Sequence, residues 1–273
     1  MSENHRDRPI AAWTNPVLGA LRAGKVCIGA CSISFPCPAV AQISAEAGFG
    51  FFYFDMEHSD LPVEAVAPIC AAAKLAGITP IAGPSGIADF LISRPLDNGA
   101  MGVVVPHVST RAETELVVRA CRYAPVGARG LLDFGALTEY AVVDTARWVE
   151  AMNRQILVAV KVESATGIDN IEEIAAVPGL DAILVGTGDL SATLGVPGQG
   201  NHPLVQRAVE RTLDACRRNG IAGGPHVGGA EAAHDWAERG ATFMSCSFDG
   251  ALLLAASKQI VEGARGLLGA RMG

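Results

Sequence analysis

The stretch ILVAVKVE, residues 156–163, decides the fold class. It is a nearly continuous run of branched aliphatic residues, whereas a strand with one face in water alternates apolar and polar residues. A strand of this composition is typical of a parallel sheet that helices cover on both faces. AILVG (182–186) is a second run of the same kind. The two runs therefore predict parallel strands joined by a helical connection.

Six further apolar runs repeat this pattern along the chain. Helix-like segments with apolar residues three and four positions apart separate them, for example PAVAQISAEAG (38–48), RAETELVVRACRYA (111–124) and HPLVQRAVERTLDACRRNG (202–220). Eight strand–helix units in about 250 residues predict a TIM (β/α)8 barrel, and a doubly wound open sheet is the alternative. The six runs are VCIGAC (26–31), FFYFD (51–55), TPIA (79–82), GVVVP (102–106), GIAGG (220–224) and ATFMSC (241–246).

Composition excludes several functional classes. The 273 residues are 50% hydrophobic and 18% charged, with a net charge of −7, which argues against disorder and against a nucleic-acid groove. No apolar run reaches the roughly 20 residues of a membrane span. The polar start MSENHRDRP lacks the apolar core of a signal peptide. We therefore expect a cytoplasmic protein with one domain over 1–273, of which 1–14 form a flexible N-terminus.

Polar residues gather where the predicted strands end. In a TIM barrel the carboxyl ends of all strands meet at one rim, which carries the active site. Polar groups this close to apolar strands are costly to bury without a partner or a ligand. They are Asp55, Glu57 and His58 after the second strand, His107 after the fourth, Lys161 and Glu163 in the fifth, and Asp189 after the sixth.

Glu163 and Asp189 are candidate metal ligands. They end neighbouring strands, so their carboxylates are expected to meet and to repel each other unless a hard divalent cation lies between them. Oxygen ligands suit Mg²⁺ or Mn²⁺. The alternative is that Glu163 forms a salt bridge with Lys161 or with an arginine from a helix.

Asp55 and His58 are candidates for general-base chemistry. A carboxylate beside an imidazole fixes its tautomer and raises its basicity. The alternative is an ordinary loop histidine. The segment GTGDLSATLG (186–195) places small residues before Asp189, so backbone N–H groups near Thr187 and Gly188 could approach an anionic ligand. This segment matches no nucleotide-binding fingerprint.

These motifs resemble the HpcH/HpaI family of metal-dependent 2-oxo-acid aldolases. The resemblance runs from about Asn15 to about Gly263. The spacing from Glu163 to Asp189 and the run DLSATLG are its most specific parts. The other matching stretches are FFYFDMEHSD (51–60), GAMGVVVPHVST (99–110), PVGARG (125–130), VKVESATGIDNIEEIAAVPGLDAILVGTGDLSATLG (160–195) and HPLV (202–205).

The resemblance implies a barrel of the phosphoenolpyruvate/pyruvate-domain type, packed as a homohexamer that often exchanges its last helix. It implies a divalent metal, Mg²⁺ or Mn²⁺ with Co²⁺ as a further candidate, held at Glu163 and Asp189. It also implies a catalytic pair at His58 and Asp55. The reaction would cleave a 4-hydroxy-2-oxo acid to pyruvate and an aldehyde. Arg129 and His107 are then candidate substrate contacts, and His107 is equally well explained by structural hydrogen bonding.

Three positions depart from the family pattern. Gly83 stands where an arginine usually grips the keto acid, Lys161 where a glutamine is usual, and Cys31 where a tryptophan is common. We expect Lys161 to supply the missing positive charge, since residues 161 and 163 share one face of the strand. Lys161 as a Schiff-base nucleophile and Lys161 as a counter-ion that weakens the metal site are the alternatives.

The departures also leave other functions open. The first hypothesis is a lyase acting on a small 2-oxo acid. The second keeps the enolate chemistry but assigns it to a decarboxylase, a β-hydroxy-acid lyase or a hydrolase. A third is a metabolite-binding or scaffold protein, against which the presence of a candidate base argues.

Overall fold

The computed structural model describes residues 14–271, and its eight parallel strands form a closed barrel in sequence order. The predicted TIM barrel is confirmed, and the open sheet is excluded. The predicted flexible N-terminus lies outside the described residues except for Thr14, and one domain over 1–273 stays a prediction. The strands are β1 Cys27–Ser32, β2 Phe51–Asp55, β3 Thr79–Gly83, β4 Gly102–Val105, β5 Leu157–Val162, β6 Ala182–Val185, β7 Ala222–Val227 and β8 Phe243–Phe248.

Helices surround the barrel and join its strands. Asn15, Thr110, Asp144 and Ser164 cap helices by accepting a backbone N–H near the first turn. The helices are α1 Pro16–Arg22, α2 Pro38–Glu46, α3 Val66–Leu75, α4 Asp89–Asp97, α5 Arg111–Cys121, α6 Thr145–Gln155, α7 Ala165–Asp169, α8 Ile171–Ala175, α9 Thr187–Thr193, α10 Pro203–Asn219, α11 Ala230–Glu238 and α12 Asp249–Leu268, with 3₁₀ turns at Val63–Ala65 and Gly269–Arg271.

β2 illustrates how one strand serves two cores. Phe52 and Phe54 belong to the apolar layer between the barrel and its helices, whereas Phe51 and Tyr53 belong to the cluster inside the barrel. Every residue of the strand is buried, which explains why its sequence is continuous rather than alternating. The same alternation brings Asp55 to the inside at the carboxyl end of the strand.

The inner core leaves no open channel. Phe51 stacks on Phe243, with ring centroids 4.8 Å apart. A Cβ atom at Gly29 would lie 2.0 Å from the Phe51 ring, so the aromatic ring fits only because its neighbour on β1 has no side chain. Val17 and Leu18 of α1 pack against the same cluster. The barrel is therefore a packed core that presents chemistry only at its ends.

The seventh strand lies further along the chain than its sequence pattern predicts. The apolar run GIAGG covers 220–224, but the strand spans Ala222–Val227. Gly220 is the left-handed residue that ends α10, with φ of 66°. The strand therefore starts later and continues through Pro225, which carries His226 to the rim.

α12 differs from the other long helices because none of its residues is buried. Its exposed apolar residues include Leu253 and Ile260, which are 58% and 73% exposed. No helix in the described range 14–271 is long and apolar enough to cross a bilayer. All seven cysteines are free.

Candidate active site

A cavity of about 210 Å³ opens at the carboxyl ends of the strands. Seven of the residues predicted from the sequence line it together, which is the convergence that the barrel predicts. Residues that the sequence did not single out complete its wall. The predicted lining residues are Asp55, His58, Lys161, Glu163, Thr187, Gly188 and Asp189, and the additional ones include Tyr53, His226, Ser245 and Phe248.

A larger cavity of about 590 Å³ lies at the opposite end of the barrel, beside α3 and the start of β3. Lys74 and Glu139 are the charged groups among its described lining residues, and they lie 3.5 Å apart. None of the residues predicted for chemistry lines this cavity. Size alone therefore does not locate the active site.

Asp55 orders the turn that follows β2. Its Oδ1 atom accepts hydrogen bonds from the backbone N–H groups of Glu57 and His58, at 2.7 and 2.8 Å. This is the turn that an aspartate forms with its own following backbone. The His58 ring instead faces Glu57, with Nε2 3.5 Å from Oε2. The expected pairing of Asp55 with the His58 imidazole is therefore corrected, because backbone donors occupy Asp55 and Glu57 is the nearer carboxylate.

His107 joins Glu57 to Glu163. Its Nε2 atom makes a short hydrogen bond to Glu57 Oε1, and its Nδ1 atom lies 3.3 Å from Glu163 Oε1. Its backbone N–H also donates to Glu163 Oε1 at 2.9 Å. The backbone of His107 is left-handed, with φ of 59°, and this conformation directs the N–H group towards Glu163. Of the two roles expected for His107, the geometry matches structural hydrogen bonding, and His107 does not line the cavity.

Lys161 lies between the same two carboxylates. Its Nζ atom is 3.2 Å from Glu163 Oε2 and 3.5 Å from Glu57 Oε2. Burial alone would lower the pKa of Lys161, but the nearby carboxylates of Glu163, Glu57 and Asp55 outweigh burial and raise it. Because a Schiff-base nucleophile needs a lowered pKa, this environment disfavours the Schiff-base alternative.

The two glutamates respond differently to the same neighbours. Burial raises the pKa of Glu163, and this outweighs the opposing effect of Lys161. Burial also opposes ionisation of Glu57, but Lys161 and the hydrogen bond from His107 together lower its pKa. Of these two carboxylates, Glu163 is the one for which burial outweighs the compensating charges.

Glu163 lies tightly against the end of β6. A Cβ atom at Gly186 would be 2.6 Å from Glu163 Oε2, so only glycine fits at this position. Gly186 precedes Asp189 by three residues, and both carboxylates line the cavity.

The carboxylate oxygens fit a hard divalent cation. Within residues 14–271, Glu163 Oε2 and Glu57 Oε2 are buried and accept no hydrogen bond of good geometry, although the Lys161 ammonium lies 3.2 and 3.5 Å from them. Asp55, Glu57 and His58 each offer one ligand atom, and these three atoms lie within 4.8 Å of one another. Oxygen-rich donor sets of this kind match Mg²⁺ or Mn²⁺ chemistry.

The first turn of α9 forms the opposite wall of the cavity. Gly188 is exposed, and the space beside its Cα atom is open. Thr187, Gly188 and Asp189 begin this helix, whose first backbone N–H groups have no partner within the helix. The turn therefore offers unpaired donors beside the Asp189 carboxylate.

Arg129 and Gly83 lie away from the cavity lining. The Arg129 side chain is fully buried, with Nη2 2.6 Å from Asp97 Oδ1 and the guanidinium over the Tyr123 ring. The structure therefore does not support a substrate contact by Arg129, because the Asp97 carboxylate and the Tyr123 ring already contact its guanidinium. At Gly83, the Tyr53 side chain occupies the adjacent space.

The sequence did not single out His226 and its neighbours. The ring Nδ1 lies 2.7 Å from Ser245 Oγ, and the ring stacks on Phe248 with centroids 4.4 Å apart. Burial, followed by the positive charge of Lys161, lowers the pKa of His226 to about 4. A neutral imidazole thus faces the carboxylates. Its sequence signal was a histidine two residues after the glycine-rich run GIAGG.

Carboxylates gathered around a cavity at the carboxyl ends of the strands of a closed β/α barrel define the class of TIM-barrel enzymes. The model of the HpcH/HpaI aldolase/citrate lyase family matches residues 36–256. The chain belongs to this family, as the motifs around Glu163 and Asp189 predicted.

Characterised relatives and solved structures agree with this membership. The chain is 35% identical to 4-hydroxy-4-methyl-2-oxoglutarate aldolase cghB of Chaetomium globosum, over 89% of this chain and 92% of that protein. It is 33% identical to the hydroxypyruvate/pyruvate aldolase of Sagittula stellata, over 89% and 95%. The crystal structure of an HpcH/HpaI aldolase from Desulfitobacterium hafniense superposes with a TM-score of 0.87 at 31% identity, covering 92% of this chain and 97% of that one. The prediction of an aldolase-type lyase is thus confirmed at the level of the family.

Proposed function

We propose that this protein is a divalent-metal-dependent aldolase that cleaves, or forms in reverse, the C3–C4 bond of a 4-hydroxy-2-oxo acid. One observation carries the proposal. Glu163 is 3% exposed, and its Oε2 atom lies at a cavity shared with Asp189, 3.2 Å from the Lys161 ammonium but without a hydrogen bond of good geometry from the described residues. A buried carboxylate oxygen left in this state is costly unless a ligand completes it.

Glu163 and Asp189 would hold the metal, with Mg²⁺ or Mn²⁺ as the expected ions and Co²⁺ as a substitute. When bound, the cation supplies a Lewis acid that draws electron density from the keto oxygen of the substrate. Lys161 stays protonated beside Glu163 and limits the negative charge of the site. The backbone donors of Thr187 and Gly188 would orient the substrate carboxylate.

His58 is the proposed general base. Its side chain is 53% exposed at the cavity mouth, and Glu57 lies beside its ring. In the cleavage direction it accepts the proton of the C4 hydroxyl as the C3–C4 bond breaks. The C4 oxygen becomes the aldehyde carbonyl, and the bonding pair passes to C3 to give the enolate of pyruvate. A proton returned to C3 completes the reaction.

Lys161 has two proposed roles. Its charge compensates for the absence of an arginine at position 83, yet its distances of 3.2 and 3.5 Å to Glu163 and Glu57 also match the counter-ion alternative. In Lys161→Met, a weaker keto acid affinity with normal metal affinity would support compensation. Tighter metal binding with unchanged keto acid affinity would support the counter-ion role.

A homohexamer built through α12 is the proposed assembly, and the cytoplasm is the proposed location. The unburied apolar residues of α12, such as Leu253 and Ile260, favour coverage by another copy. Sedimentation or light scattering measures the assembly directly. A monomer at micromolar concentration would contradict it.

The function is tested with purified protein, pyruvate, a panel of aldehydes, and Mg²⁺, Mn²⁺ or Co²⁺. We expect a new carbon–carbon bond and exchange of the pyruvate methyl protons for deuterium, both lost in EDTA. Exchange without condensation would favour another enolate reaction, such as decarboxylation. Neither exchange nor condensation in the metal-loaded protein would overturn the proposal.

A further inference from the structure

Tyr53 and Gly83 form one steric unit at the entrance to the barrel core. Gly83 pairs with Asp55 in the β2–β3 register, two residues beyond Tyr53. A Cβ atom at Gly83 would lie 2.5 Å from the Tyr53 hydroxyl oxygen and 2.7 Å from its ring. No side chain at position 83 can therefore enter the site while the Tyr53 ring keeps this position.

The Tyr53 hydroxyl is available to a ligand. The residue lines the cavity together with Lys161 and Glu163, although it is only 4% exposed. Burial, and next the charge of Asp55, raise the pKa of Tyr53 well above its usual value, so the hydroxyl keeps its proton. No hydrogen bond joins it to another residue of the described range, and because Tyr53 lines the cavity, a ligand or water can reach the hydroxyl.

The charges around the cavity leave few donors for an incoming anion. Lys161 is the cation at this cavity among the described lining residues, and its ammonium already lies between Glu57 and Glu163. A bound carboxylate therefore needs neutral donors. Besides the backbone N–H groups of α9, the Tyr53 hydroxyl is a neutral side-chain donor that lines this cavity and has no hydrogen-bond partner among the described residues.

We propose that Tyr53, whose ring occupies the space beside Gly83, is a specificity-determining residue whose hydroxyl donates a hydrogen bond to the carboxylate of the bound 2-oxo acid. The inference rests on the proposed function for the identity of the substrate. A single neutral donor holds a carboxylate less firmly than a bidentate guanidinium does. The site is accordingly suited to compact 2-oxo acids that a metal also holds, and its affinity depends on residue 53.

Tyr53→Phe tests this role because it removes the hydroxyl and keeps the ring over Gly83. Oxalate, a planar analogue of the pyruvate enolate, is the probe for calorimetric titration of the Mn²⁺-loaded protein. We expect oxalate to bind about tenfold more weakly to the variant, since a hydrogen bond to a charged group is lost. The KM for pyruvate should rise by a similar factor while kcat stays within about twofold. Tyr140→Phe, at a tyrosine 67% exposed and away from the cavity, is the matched control.

Gly83→Ala is the second variant, because its methyl group must displace the Tyr53 ring. We expect it to weaken oxalate binding as Tyr53→Phe does, and the double variant to be no weaker than either single one, since both changes disturb one contact. Circular dichroism checks that Gly83→Ala is folded. Fully additive losses would show that Gly83 and Tyr53 act separately and would contradict the steric unit.

The results separate this inference from the proposed function. Oxalate binding by Tyr53→Phe that equals the wild type, in a wild type with aldolase activity, overturns the role of Tyr53 alone. A tenfold loss of binding in a protein without exchange or condensation supports Tyr53 and overturns the aldolase. A wild type that binds no oxalate when loaded with Mn²⁺ overturns both.

Discussion

Two buried ion pairs in this molecule differ in how completely they are satisfied. Arg122, at the far end of α5, donates Nη1 to the carbonyl oxygen of Ile156 at 2.6 Å. Its Nη2 donates to the carbonyl of Gly179 at 3.2 Å and to Asp181 Oδ2 at 2.9 Å. Asp181 Oδ2 also accepts the Val158 backbone N–H at 2.9 Å. Backbone carbonyl and N–H groups thus supply hydrogen bonds to both the guanidinium and the carboxylate of this pair.

The second pair, Lys161 with Glu163, has fewer hydrogen bonds to the described residues, and we call it the incomplete pair. The ammonium and carboxylate lie 3.2 Å apart, but Glu163 Oε2 has no hydrogen bond to a residue of the described chain, and neither does Oε2 of the neighbouring Glu57. Burying charge costs free energy in both places. Backbone partners offset that cost for Arg122, whereas Glu163 Oε2 lies at a cavity with the Lys161 ammonium 3.2 Å away and no backbone donor. The two pairs therefore differ in their access to a cavity as well as in their backbone hydrogen bonds.

The largest effect is expected from Glu163→Gln, which removes the charge at the incomplete pair. We expect kcat/KM for aldol cleavage to fall at least about a thousandfold, because several kcal/mol of transition-state stabilisation through the metal are lost. Thermal stability in EDTA should fall less than in Arg122→Met, since Glu57 still lies 3.5 Å from the Lys161 ammonium. Glu172→Gln, at an exposed glutamate, is the matched control. A fall in Tm larger than that of Arg122→Met, with activity retained, would reverse the distinction between the two pairs.

The first pair, Arg122 with Asp181, should show the opposite behaviour. Arg122→Met leaves Asp181 buried without its main partner, so we expect the free energy of unfolding to fall by about 3 kcal/mol or more. The folded fraction should keep its kcat within about twofold, since Arg122 does not line the cavity. Urea unfolding at a fixed protein concentration measures the loss. Unchanged stability would mean that backbone saturation does not mark a structural charge.

His58→Gln probes the wall of the cavity opposite α9. The substitution removes the proposed base from a side chain that is already 53% exposed. We expect kcat for cleavage to fall about a hundredfold, as is typical for loss of a general base, with no measurable change in Tm. Normal oxalate binding would locate the defect in the chemical step. A kcat equal to that of the wild type would assign the proton transfer to another group.

The sequence predicted the place of the carboxylates better than their partners. Asp55, Glu163 and Asp189 follow strands, and barrel closure alone brings the ends of those strands to one rim. The partner of the His58 ring depends instead on the turn after β2, where backbone N–H groups occupy Asp55. Such local hydrogen bonding has no periodic signal in the sequence.

The sequence-based prediction failed in two different ways at residues 129 and 226. Arg129 was predicted to contact the substrate but does not line the cavity, whereas His226 lines the cavity but was not predicted. Arg129 belongs to a family motif, yet its guanidinium is buried against Asp97, and a motif does not reveal which way a side chain points. His226 was missed because the run GIAGG stops at Gly224, and glycine and proline are weak strand formers. β7 nevertheless continues to Val227, since β6 and β8 pair with it on both sides.

The smallest predicted effect concerns His226, the neutral group that faces the incomplete pair. Burial, and next the charge of Lys161, lower its pKa in the folded protein from the usual 6.5 to about 4. The unfolded chain therefore binds a proton more readily than the folded one between these values. The free energy of unfolding should then fall as the pH is lowered from about 6.5 towards 4.

His226→Gln removes this proton-linked loss. We expect the difference in the free energy of unfolding between pH 7.5 and pH 4.5 to be smaller in the variant than in the wild type, whatever the effect on stability at pH 7.5. His234→Gln, at an exposed histidine of α11, should leave that difference unchanged. If both variants lose stability in acid as the wild type does, His226 is not held neutral by its surroundings. Burial and the charge of Lys161 would then be too weak to keep the His226 imidazole neutral.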